Sequence, residues 1–153
     1  MQVEAKIEEL GLTLPTPGTP MGNYVPGVRT GNLVFLSGVG PGQAGGQQWS
    51  GKVGRDYTTE EGYEAARGCA LNLLGNLKSV IGDLDKVTRV LKVLGMVNAD
   101  PEFTSPPAVI NGCSDLLVEL FGERGRHARS AVGMAALPNA IPVEIEMVVE
   151  VED

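Results

Sequence analysis

Apolar residues recur along this chain with two distinct periods, and each period marks a kind of element. From Ala66 through Cys69, Ala70, Leu73, Leu74, Leu77 and Ile81 the spacing alternates between three and four, the signature of one helix face. Thr58 and Glu61 just ahead form a capping-box pattern, and Gly82 just behind is suited to a left-handed helix stop. A second helix is predicted where Ser105-Pro106-Pro107 precedes Val109, Ile110, Cys113, Leu117, Leu120 and Phe121, with prolines tolerated in the first turn and Gly122 as its end. The last segment has a period of two. Val143, Ile145, Met147, Val149 and Val151 alternate with Glu144, Glu146 and Glu150, which predicts a strand with one apolar face and one face of carboxylates.

The remaining patterns fill in around these. Residues 3–10 read as a short amphipathic helix with Ile7 and Leu10 on one side. Residues 12–26 are rich in proline and glycine, which opposes regular structure. They read as an ordered arm with Met21, Tyr24 and Val25 available to pack. Thr30-Gly31-Asn32 between apolar stretches predicts a hairpin, and the run Leu33-Val34-Phe35-Leu36 suits a strand buried on both faces. Residues 40–51 read as a mobile loop, with Trp49 folding back onto the surface. Residues 87–97 are rich in Val and Leu and read as a central strand, and residues 127–137 as another. The order is two strands, a loop, then helix, strand, helix, strand, strand. It predicts an α+β domain over residues 1–153, with arm 1–26 and core 27–153, and one sheet carrying both helices on one face.

Composition narrows the function classes. A chain of 153 residues suits one domain with an adequate core, so no disulfide or metal staple is required. The formal net charge is −7 and the 12 Lys and Arg residues are scattered. Nucleic-acid binders usually carry a basic patch, so no nucleic-acid partner is expected. Cys69 and Cys113 stand alone, with His127 the only histidine, which argues against a metal site and for cysteines that act as small apolar side chains. The first ten residues hold three glutamates and one lysine without an apolar stretch, and no run reaches the roughly eighteen apolar residues of a membrane span. A cytoplasmic protein without a membrane partner is the expectation. Nucleophile-elbow, P-loop and dinucleotide fingerprints are missing from the sequence.

Gly31-Asn32-Leu33-Val34-Phe35-Leu36-Ser37-Gly38 resembles the first-strand motif of the Rid (YjgF-type) family. Ala128-Arg129-Ser130-Ala131-Val132, followed by Leu137-Pro138 and Val143-Glu144-Ile145-Glu146, resembles that family's closing motif, and the element order agrees from about Tyr24 onward. The N-terminal helix and arm resemble a subgroup of the family. The resemblance implies a chorismate-mutase-like fold with a single mixed sheet, and a homotrimer. It also implies a deaminase that adds water to a small 2-imino or enamino acid, without a cofactor.

The same resemblance assigns residues. Arg129 stands where the family holds the substrate carboxylate, a task that suits the guanidinium's two parallel N–H bonds. Glu144 stands where the family has a glutamate able to move protons. Tyr24, Ser37, Gly38 and Asn111 match positions around the ligand. Two positions after the arginine many deaminating relatives have cysteine, where this chain has Ala131. A small-carboxylate-binding or regulatory trimer with little catalysis is the alternative. If the last two strands run antiparallel, Arg129 and Glu144 fall at opposite ends of the sheet, roughly six residues or about 20 Å apart. A neighbouring subunit would then complete the site.

Overall fold

The computed structural model describes residues 2–153, and the capping signals mark where its helices begin and end. Thr58 Oγ1 accepts from the Glu61 backbone N–H at 3.1 Å, and a Glu61 carboxylate oxygen accepts from the Thr58 N–H at 3.0 Å. These two bonds satisfy orphan donors at the start of a long helix, which runs over Thr59–Ile81 and ends at Gly82 with φ 86°. Pro106 and Pro107 open the second long helix, Pro106–Phe121, and Gly122 closes it. A short helix over Gln2–Glu9 precedes both and buries Val3 and Ile7. Its first turn is held by the Asp85 carboxylate, which accepts from the N–H groups of Gln2 and Val3. In chain order these helices are α2, α3 and α1 respectively.

Five strands form one mixed sheet. They are β1 (Gly27–Thr30), β2 (Leu33–Leu36), β3 (Val87–Asn98), β4 (Ala128–Met134) and β5 (Val143–Val151). Their spatial order is β1-β2-β5-β3-β4. All neighbours are antiparallel except β3 and β4, which run parallel because α3 carries the chain back between them. Register irregularities between Val87 and Arg89 and between Val90 and Lys92 act as β-bulges in β3. They put Val87, Val90 and Val93 on one face although they stand three apart.

The core lies between this face and the helices α2 and α3. Leu73, Leu74, Leu77, Val109, Ile110, Leu116 and Leu117 meet Val90, Val93, Val143, Ile145 and Val149 there. Cys69 and Cys113 are buried in the same layer. Burial pushes the Cys113 thiol up to about 12 and the Cys69 thiol well above its usual range, so both remain uncharged packing groups.

Several expectations are corrected. β2 is buried on one face only: Val34 and Leu36 are covered, while Phe35 is 47% exposed. Among the described residues no element lies over the other face of the sheet, so an apolar run was not evidence of two-sided cover. For the same reason Met21, Tyr24 and Val25 do not pack within the chain but stand exposed beside that face. The arm is seated instead by Leu12 and Leu14 against the core and by Pro15, whose carbonyl oxygen presses on Gly75 of α2 where any Cβ would collide. The loop at 40–51 is fastened by Trp49, which is buried, donates to the Ala44 carbonyl at 3.1 Å and stacks at a tilt on Tyr57. Finally, β4 and β5 are consecutive in sequence but not neighbours, since β3 lies between them.

Candidate functional site

The residues singled out from the sequence separate into two clusters on opposite faces of the sheet. Arg129 is level with Val93, a core residue, and its side chain runs under α3. Nη1 donates to Asn111 Oδ1 at 2.8 Å and to Ser114 Oγ at 3.1 Å. Among the described residues, Nε and Nη2 have no partner. A guanidinium held along one side by neutral acceptors thus keeps its side-on pair of donors free, the geometry a carboxylate takes up. An open cleft of about 240 Å³ in front of it is lined by Ser114, Val118, Arg126, His127 and Arg129.

Glu144 is level with Met96 and alternates with the buried Val143 and Ile145, so it emerges on the uncovered face. Its carboxylate lies against Gly38, where a Cβ would strike the carboxylate oxygen. Among the described residues it makes no hydrogen bond or ion pair. Partial burial and then the neighbouring charge of Glu146 raise its pKa above the ordinary carboxylate range. That moves it toward the range useful for proton transfer near neutral pH.

Ser37, next to Gly38, donates its hydroxyl to the Val25 carbonyl at 2.7 Å and so pins the arm to the end of β2. Tyr24, Ser37 and Gly38 line one groove of about 340 Å³ with other arm residues and with Asn72 and Asn76 of α2. A larger groove, about 660 Å³, lies between α1, the arm and α2. It contains none of the singled-out residues, and its Glu4 and Lys78 already pair at 2.9 Å, so we attribute it to seating of the arm.

The distance between Arg129 and Glu144 is also corrected. Their β3 partners, Val93 and Met96, are three residues apart, about 10 Å along the strands with about 10 Å more across two strand spacings. They are not at opposite ends. A small ligand still cannot touch both within one chain, because the sheet itself stands between them. Sequence reasoning missed Ser114. The signal was its i+3 relation to Asn111, which places both polar groups side by side on the flank of α3.

Among the described residues no group of three or more His, Cys, Asp or Glu side chains could hold a metal ion. Among the described residues, too, no helix is long and apolar enough to cross a membrane.

Comparison with known proteins gives this arrangement a context. The family model described as "YjgF/chorismate_mutase-like, putative endoribonuclease" matches residues 4–149. Protein TCP17 of Trypanosoma cruzi is 42% identical over 153 residues, covering 99% of this chain and 96% of that protein. A 2-iminobutanoate/2-iminopropanoate deaminase of Dermatophagoides farinae is 30% identical over 143 residues, covering 92% and 95%. The crystal structure of Atu1372 from Agrobacterium tumefaciens, a protein of unknown function, superposes with a TM-score of 0.90 at 44% identity, covering 98% of this chain and 92% of that one.

Proposed function

Because the chain belongs to the YjgF (Rid) family, we propose that it hydrolyses small 2-imino or enamino acids to 2-keto acids and ammonia. The observation that carries this reading is the free Nε and Nη2 edge of Arg129, whose opposite side is fastened to Asn111 and Ser114. Such an edge binds the ligand carboxylate through two parallel bonds and fixes its orientation. Water then adds to the imine carbon and loses a proton to Glu144. That proton is returned to the nitrogen to give a carbinolamine; its hydroxyl proton then passes to the same nitrogen as the C–N bond breaks, so that ammonia leaves and the carbonyl forms. The chemistry balances as imine plus water giving ketone plus ammonia, with no oxidant, metal or organic cofactor.

Glu144 would come from a neighbouring subunit, in a threefold assembly. Val28, Phe35 and Val132 lie exposed on the uncovered face of the sheet, with Tyr24 and Val25 exposed beside it. A cyclic arrangement would cover this surface and bring the Arg129 cluster of one chain to the Tyr24, Ser37, Gly38 and Glu144 cluster of the next. An endoribonuclease activity is less consistent with the charges here. Glu144, Glu146 and Glu150 share the uncovered face of β5, and the net charge is −7, which gives little attraction to phosphate.

A coupled assay tests the reading. 2-Iminopropionate or 2-iminobutyrate is generated in situ, and its loss is followed with and without the protein. Acceleration that disappears in Glu144→Gln is expected. A wild type that binds 2-ketobutyrate but leaves the imine decay unchanged would make this a binding protein.

A further inference from the structure

His127 and Ser114 enter the site through a chain of hydrogen bonds that has one consistent direction in the neutral state. His127 Nδ1 lies 2.6 Å from the Gly125 carbonyl oxygen, which can only accept, so this nitrogen carries the proton. Nε2 is then bare, and at 2.9 Å it accepts from the Ser114 hydroxyl. With its proton committed to the ring, Ser114 Oγ turns lone pairs toward Arg129 Nη1 at 3.1 Å. The ring thereby sets which way Ser114 points, and Ser114 sets one anchor of the guanidinium. The surroundings favour the neutral ring. His127 is half-buried, and burial first, then the charge of Arg129, lowers its pKa against the opposing hydrogen bond to Gly125. The charged groups nearby are Arg129 from β4, Arg126 with its ion-pair partner Glu123 from the preceding turn, and Arg89 of β3, which donates to the Arg126 carbonyl. From α3 the cleft receives Ser114 and Val118.

We propose that His127, neutral and protonated on Nδ1, is a positioning residue that holds Ser114 as an acceptor for Arg129 and so aims the free guanidinium edge at the ligand carboxylate. This rests on Arg129 being the carboxylate-binding group. Protonation of Nε2 reverses the Ser114 bond, and two cationic donors then converge on one oxygen. The Ser114 anchor of the guanidinium weakens while the Asn111 bond remains, so affinity for a carboxylate falls as the ring protonates at low pH. A histidine acting only as a nearby charge would do the opposite, because an added positive charge attracts an anion.

Three readouts on the full-length protein test this. Long-range proton–nitrogen NMR of the histidine ring at pH 7.5, without ligand, should show a bare Nε2 and a protonated Nδ1; a proton on Nε2 at that pH overturns the proposal. Calorimetry with 2-ketobutyrate between pH 8 and pH 5.5 should show wild-type affinity falling toward low pH. His127→Gln, whose amide oxygen can accept from Ser114 in place of the bare nitrogen, should lose less affinity at pH 7.5 than His127→Leu and should flatten that dependence. Ser114→Ala and His127→Leu should bind about fivefold more weakly at pH 7.5, the loss expected for one hydrogen bond. Affinity that rises as the ring protonates, or that is unchanged in both variants, overturns the proposal. If the wild type binds no 2-keto acid at all, the ligand assignment fails instead. NMR relaxation of the Arg129 Nε–H then still decides the positioning role: greater mobility in His127→Leu than in wild type supports it, and equal mobility removes it.

Discussion

The two faces of the sheet are built from the same strands and solve different problems. The helix-covered face is closed within the chain: Val90, Val93, Ile145 and Val149 meet α2 and α3 with almost no exposure. The other face carries carboxylates on β5 together with exposed Val28, Phe35 and Val132, and none of the described residues covers it. Arg129 belongs to the first face and Glu144 to the second. The arginine is tied to neighbours on one side and open on the other, whereas the glutamate lies partly buried against Gly38 and, among the described residues, makes no hydrogen bond or ion pair. One face stabilises the fold, and the other is the surface that the proposed assembly would bury.

That contrast can be broken by substitution. The largest effect is expected from Val132→Glu on the uncovered face, which should leave a folded chain but convert trimers to monomers by light scattering. An unchanged mass would place the subunit contacts elsewhere. On the covered face, Leu117→Ala should instead cost about 2–5 kcal/mol of stability in denaturant titration, the usual loss for a buried leucine. Arg129→Ala should weaken 2-ketobutyrate binding by roughly 30-fold or more, since losing a desolvated charged contact costs about 2–5 kcal/mol. Arg129→Lys should restore little, because an ammonium lacks the planar fork. Thr58→Ala, which removes half of the capping box, should cost about 1 kcal/mol of stability and leave ligand affinity unchanged.

The smallest effect concerns pH. Glu144 has a folded-state pKa raised above its ordinary value. The stabilising contribution of its neutral form is present below the unfolded pKa and is lost as pH rises through the folded one. Glu144→Gln should therefore gain slightly in stability relative to wild type as pH rises through the carboxylate range, with the difference closing in acid. A constant difference at all pH values would contradict the assigned environment.

Much of the fold could be read from the chain because local rules decided it. The capping box at Thr58 and Glu61, the stops at Gly82 and Gly122, and the alternation along β5 each act over a few residues, and each stands where its pattern indicated. What was not legible depends on spatial order. Nothing in the spacing of β4 and β5 says that β3 inserts between them, and that insertion alters the separation of Arg129 from Glu144. The apolar run in β2 could not reveal whether its second face was covered by this chain or left bare. Arg129 could be singled out by its motif, but the direction of its free edge follows from Asn111 and Ser114, which only the packing of α3 against β4 brings to it.

The central claim is that each site takes Arg129 from one chain and Glu144 from another. Mixing two inactive proteins tests it most directly. Arg129→Ala and Glu144→Gln chains, unfolded together and refolded in equal amounts, should form mixed trimers in which one site of three has both native side chains. Imine hydrolysis should then return to about a quarter of the wild-type rate per chain, as random assembly of a cyclic trimer requires. Activity no greater than the sum of the two variants refolded separately would contradict a site shared between subunits.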